Sequence, residues 1–144
     1  MEQDQLAAAF VATAQERVKG TFIELLGIRL LEVSQTQAVS EMTFTHNLQQ
    51  LTGVFHAGAL IALADTTATF AALYRAGGTL DTDRFPFTIQ LSTNLLRNTN
   101  RGTIRAVATP VHRGRTTMVV DTRVSDAEGR LLMVVTTTHL FIGG

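Results

Sequence analysis

One carboxylate, Asp65, stands inside an otherwise uncharged stretch from Ala57 to Leu73, with His56 just ahead of it. An aspartate in such a helix gives up helix propensity and meets a desolvation penalty. Its helical neighbours three and four residues away are Ile61, Ala62, Ala68 and Thr69, so no cation on the same helix compensates it. Burial disfavours the charged form of a carboxyl group, so a shielded acid without a local partner is a candidate for proton transfer or nucleophilic attack. The start of the same helix, at Ala57-Gly58, offers unpaired backbone N–H groups and the positive end of the helix dipole, a natural seat for a developing oxyanion. Acyl transfer needs both parts. Eight residues of helix separate Ala57 from Asp65, about 12 Å at the usual rise. Donor and acid must each lie about 3 Å from the reacting group. If both act on one carbonyl, they must come from two chains.

Each candidate also has a plain structural reading. Asp65 can hydrogen-bond a partner chain's backbone, and His56 can position the helix start or be satisfied by a carbonyl. Gln50 can cap a turn, and Thr69 can bond back to the preceding turn. Phe55, Phe70 and Tyr74 suit a core as well as a pocket wall. His46, His56, His112 and His139 lack metal-ligand spacing, so neither a metal nor a cofactor is expected. Neither a Gly-x-Ser-x-Gly elbow nor a glycine-rich phosphate loop is present.

The elements that must position these residues follow from periodicity and turn chemistry. An N-terminal helix is expected over about residues 3–19, with acids in its first turn and Leu6, Phe10 and Val18 on one weakly apolar side. Gly20 and Gly27 punctuate a short connection. Strands are expected at Ile28–Val33 and Ala38–Thr45 around the polar turn Ser34–Gln37, then the long helix over about residues 57–75, ended by Gly77-Gly78. Thr79 to Pro86 reads as loop. Four more strands follow, Thr88–Leu96, Thr103–His112, Thr116–Ser125 and Leu131–Phe141, joined by hairpins at Arg113-Gly114 and Asp126–Gly129. Met118, Val120 and Val124 alternate with Asp121 and Arg123, as in a sheet with one covered face. A long apolar helix with about six antiparallel strands is an α+β arrangement, the sheet wrapped on the helix.

At 144 residues the chain fits one domain. Apolar residues make up 45% and charged residues 17%, the balance of a globular protein. Zero formal charge argues against a nucleic-acid binder. The charge is uneven: residues 1–96 carry 5 Lys+Arg against 9 acids, while residues 97–144 carry 7 Arg against 3. An anion site in the second half is one reading, and arginines scattered over solvated strands are the other. Cysteine is absent, which suits a reducing cytoplasm. Glu2 and Asp4 replace the basic region of an export signal. The stretch 57–73 is short for a membrane span and is interrupted by Asp65.

The string Gln50-x-x-Gly53-x-x-His56-Ala57-Gly58, with Asp65 seven residues further on and Thr69 one turn beyond, resembles the motif of hotdog-fold acyl-CoA thioesterases. The phenylacetate-degradation and 4-hydroxybenzoyl-CoA thioesterase branch is the most similar, and the resemblance extends from about Gly20 to Phe141. It implies a hotdog fold and a catalytic carboxylate at Asp65, acting as nucleophile or as general base on water. It further implies an oxyanion donor at the Ala57 N–H, an amide near the scissile bond at Gln50, and hydroxyls at Thr69 and Thr88 that hold water. His56 belongs to the catalytic set and Gly58 to the substrate-binding set, while Arg97, Arg113 and Arg115 fall where relatives meet the CoA phosphates. The usual His-Gly-Gly is here His56-Ala57-Gly58; a backbone donor survives the change, but the added methyl bears on acyl size.

Together these readings anticipate a cytoplasmic, metal-independent thioesterase that hydrolyses an acyl- or aryl-acetyl-CoA. Its expected partners are the acyl-CoA and further copies of the chain, with a homodimer as minimal unit and a homotetramer as the assembly. Two alternatives stay open. One is a non-catalytic acyl-CoA-binding or sensor module; the other is a hydratase or dehydratase with His56 as base and Asp65 as acid.

Overall fold

The long apolar segment becomes the longest helix. Nothing between Ala59 and Ala76 is glycine or proline, so α3 runs unbroken over Ala57–Gly77. His56 caps its start, Nδ1 accepting the Gly58 N–H at 2.8 Å. Gly78, at φ 68°, ends it by donating its N–H to the Tyr74 carbonyl at 2.8 Å. The structure, a computed structural model, describes residues 2–80 and 83–143. Ahead of α3 lie α1 (Glu2–Arg17), α2 (Phe22–Leu26) and the strands β1 (Arg29–Val33) and β2 (Ala38–Thr43). After it come β3 (Phe85–Leu95), β4 (Thr103–Arg113), β5 (Thr117–Ser125) and β6 (Leu131–Ile142).

All six strands form one antiparallel sheet in the order β1-β2-β4-β5-β6-β3. The sheet wraps α3, as expected of the hotdog arrangement. Leu60, Leu63, Ala64 and Ala68 of the helix are fully buried, together with Met42, Ile104, Val124 and Met133 from the strands. The Phe55 ring, also fully buried, meets Phe44 edge-on at 5.0 Å and anchors the loop that leads into α3. At the other end, Phe10 of α1 packs edge-on against Tyr74 and Phe70 at 5.2 and 6.2 Å, which fixes the N-terminal helix to α3. By length and mean hydropathy (1.3) α3 could cross a membrane, contrary to the expectation that it is too short. Its burial against the sheet makes it a core helix instead.

Two further differences from the sequence reading have local causes. The connection between Gly20 and Gly27 contains the short helix α2, closed by Gly27 in the left-handed region. Strand β3 begins at Phe85, because Pro86, which lacks an N–H, is tolerated on an edge strand. Asp81 and Thr82, placed in the expected loop, lie outside the described residues.

Strand β3 pairs on one side only, with β6. It is 11 residues long, and Phe85, Phe87, Ile89, Leu91 and Leu95 along it are 39–56% exposed. A long apolar edge of this kind needs a cover.

Candidate active site

Asp65 lies at the middle of α3 on a stripe with Ile61, Ala62, Thr66 and Thr69, all half-buried rather than buried. The expectation of a shielded acid is therefore met only in part: the sheet covers the opposite face of the helix, and this stripe is left for something else to cover. Thr88 of β3 donates its hydroxyl proton to Asp65 Oδ1 at 2.6 Å. A hydroxyl has one proton, so Thr88 fixes the carboxylate rather than donating to water. Thr69 commits its proton to the Asp65 backbone carbonyl at 2.9 Å, the back-bonded arrangement, and keeps only acceptor capacity for a water. Asp65, Thr69 and Thr88 together line a cavity of about 660 Å³ walled by Phe70, Phe85 and Phe87. That is within the range of small-ligand sites.

Behind Thr88 lies a residue to which the sequence reading gave no role. His139 of β6 is fully buried, with Nδ1 at 3.4 Å from Thr88 Oγ1 and 3.2 Å from the Pro86 carbonyl. Its Nε2 is 2.8 Å from Thr137 Oγ1. Burial holds this imidazole below its usual pKa, against the opposing pull of the Pro86 carbonyl and of the Asp65 charge. The usable signal was the strand period: Val135, Thr137 and His139 alternate onto one face, and that face is the core.

The donor end of the site is equally defined. Gly58 gives its N–H to the His56 ring, and a Cβ at position 58 would stand 2.9 Å from His56 Nδ1, so a larger residue would displace the capping ring. The His56 carbonyl accepts from Ala59 and Leu60. The Ala57 N–H finds no acceptor among the described residues, and Ala57 is exposed. The loop leading to it is pinned on both sides: the Asn98 amide donates to the Phe55 carbonyl at 2.8 Å, and the His56 N–H reaches the Leu48 carbonyl at 2.8 Å. Gln50, half-buried, accepts from the backbone N–H and the hydroxyl of Thr52 through Oε1, which caps a turn and leaves its NH₂ free to donate. Gln50 and His56 share a groove with Leu51 that does not include Asp65.

Within one chain the two ends stay apart, because α3 is continuous from Ala57 through Asp65. Nor are the three candidate arginines brought together. Arg97 precedes Asn98, near the start of α3, whereas the Arg113 guanidinium caps the far end, 3.4 Å from the Arg75 and Ala76 carbonyls. Arg115 lies beside Arg113. Twenty helical residues separate the ends of α3, about 30 Å, so a single phosphate cannot meet all three from one chain. Among the described residues no cluster of His, Cys, Asp or Glu could hold a metal.

A family model described as the thioesterase superfamily matches residues 52–133, more than half of the chain and the whole of α3. This chain belongs to the thioesterase superfamily. It is 34% identical over 118 residues to the putative esterase ComA2 of Bacillus subtilis, covering 81% of this chain and 90% of that protein. It is 26% identical over 111 residues to the 1,4-dihydroxy-2-naphthoyl-CoA hydrolase of Listeria monocytogenes, covering 77% and 87%. The structure of the PaaI protein from the Escherichia coli phenylacetic acid degradation operon superposes with a TM-score of 0.84, covering 99% and 97%; at 22% identity this shows the shared hotdog fold. The protein is a thioester hydrolase of this superfamily.

Proposed function

We propose that this thioesterase hydrolyses an acyl- or aryl-acetyl-CoA to the free acid and CoA at sites shared between two copies of the chain. One observation carries the reading. The carboxylate held by Thr88 and the unpaired Ala57 N–H sit about 12 Å apart on one rigid helix, each incomplete alone. A two-fold partner placed against the half-buried stripe of α3 and the open edge of β3 supplies what each half lacks, and it covers the exposed apolar residues of β3. Hotdog thioesterases as a group bind CoA thioesters and oligomerise.

In this arrangement the Ala57 N–H of one subunit, at the positive end of its helix, holds the thioester oxygen as it gains charge. The free NH₂ of Gln50 from the same subunit orients the group. Asp65 of the other subunit either attacks the carbonyl carbon, expelling the CoA thiolate and leaving an anhydride that water opens, or takes a proton from water that attacks directly. Thr88 occupies Oδ1, leaving Oδ2 for the reaction, and Thr69 can accept a hydrogen bond from the water. The cavity walled by Phe70, Phe85 and Phe87 takes the acyl group. The bond from the Gly58 N–H to His56 Nδ1 supports His56 as the cap that presents Ala57. Arg97, Arg113 and Arg115 are the candidates for the CoA phosphates, and Arg113 is already engaged at the end of α3. The direct test is Asp65→Asn assayed by thiol release across a short acyl-CoA panel. It should fold normally and lose most turnover; unchanged kinetics would remove Asp65 from the mechanism.

A further inference from the structure

His139 meets two side chains and one carbonyl, and their donor capacities fix its tautomer. The Pro86 carbonyl can only accept, so the nitrogen facing it at 3.2 Å, Nδ1, carries the proton. Nε2 is then an acceptor, and Thr137 Oγ1 donates to it at 2.8 Å in preference to the Val120 carbonyl at 3.5 Å. The same Nδ1–H also faces Thr88 Oγ1 at 3.4 Å, shared between the hydroxyl and the carbonyl. This bears on Thr88 more than on His139. If Nδ1 were bare, the hydroxyl proton of Thr88 could point at either Nδ1 or Asp65. With a proton on Nδ1 that choice disappears, and the hydroxyl can only donate to Asp65 Oδ1, as it does at 2.6 Å.

We propose that His139 is a positioning residue: its Nδ1–H forces the Thr88 hydroxyl to donate to Asp65 and so locks the orientation of the carboxylate. Three strands enforce the geometry. His139 of β6 stands opposite Thr88 of β3 on one side and Met118 of β5 on the other, with no solvent exposure. Pro86 lies two residues before Thr88 on the same strand, so one segment supplies both the hydroxyl and the carbonyl that sets the tautomer. A buried chain whose members all have matched donors and acceptors is rigid, and precise placement of a reacting group is worth a large factor in rate. The role rests on Asp65 being the reacting carboxylate.

His139→Asn keeps an amide N–H near the position of Nδ1, whereas His139→Leu keeps only bulk. With thiol release as the assay, His139→Leu is expected to lower kcat about tenfold with KM within about twofold, and His139→Asn to restore most of that loss. Equal losses in both variants, or unaltered kcat in both, would overturn the role. Imidazole ¹⁵N NMR of the unmutated protein supplies a readout independent of activity and of the variants' folding. The Nδ1–H tautomer is expected, and a dominant Nε2–H tautomer would overturn the proposal. Asp65→Asn separates the two levels. Full turnover in that variant removes Asp65 from the chemistry and His139's role with it. An inactive Asp65→Asn beside an unaltered His139→Leu removes the role of His139 alone.

Discussion

Replacing Ala57 by proline removes one backbone N–H and leaves the helix start in place. Ala57 is the first residue of α3, the helical position most tolerant of proline, because the N–H there is unpaired and a helical φ is close to the value the ring imposes. The residue before it also complies: His56 has ψ 132°, inside the extended range that a following proline demands. The cap should survive, since the Gly58 N–H still reaches His56 Nδ1. Stability should therefore stay within about 0.5 kcal/mol of the parent protein. If the Ala57 N–H holds the developing oxyanion, its loss should cost about 100- to 1,000-fold in kcat, or about 3–4 kcal/mol of transition-state stabilisation. The assay is thiol release under saturating acyl-CoA, paired with thermal melting. A variant that melts normally and keeps kcat within about threefold would refute the assignment of the oxyanion donor.

Three other perturbations probe separate links. Arg97→Ala should raise KM with kcat little changed, because phosphate contacts contribute binding equally to ground and transition states; an unaltered KM would place the phosphates elsewhere. Ile89→Lys puts a charge on the open edge of β3, where the side chain is 56% exposed. If the proposed dimer forms across this edge, the variant should be monomeric in light scattering and lose turnover, and an intact, active oligomer would show that another surface pairs. Asp126 closes the last hairpin: burial alone would raise its pKa, but the Arg130 N–H and guanidinium and the Glu128 N–H outweigh that and hold it below the usual carboxylate range. A group with a depressed folded-state pKa stabilises the fold above its unfolded value and loses that contribution as pH falls through the folded one. Asp126→Asn should therefore lower Tm by a constant amount from pH 8 to 5, with the gap closing below about pH 4; a gap that persists in acid would contradict the linkage.

Much of this was legible from residue types and spacing, and what was not has identifiable reasons. The helix of Ala57–Gly77 declared itself through its alanines, its missing breakers and its terminal glycines. The separation between Ala57 and Asp65 needed only the rise of a helix. Local bonds could be named as alternatives but not decided. That Gln50 and Thr69 use part of their hydrogen-bonding capacity within their own turns depends on backbone angles, and both bonds match the plain readings that each residue also carried. His139 was weighed only as a metal ligand, and its link to Thr88 spans 51 residues of sequence, set by the register of β3 on β6. Asp65 is less shielded than its apolar flanks suggested, because hydropathy along a helix does not say which of its faces the sheet covers.

Subunit complementation tests the shared site most directly. In the proposed dimer, Asp65→Asn and Ala57→Pro would each spoil both sites. A mixed dimer would carry one doubly damaged site and one intact site, built from the Asp65 of one chain and the Ala57 of the other. After random exchange at equal concentrations, half the dimers are mixed, and about a quarter of the parental activity should return. Were acid and donor to act within one chain, every chain in the mixture would be defective. Verified mixed dimers would then show no more turnover than the two variants measured separately.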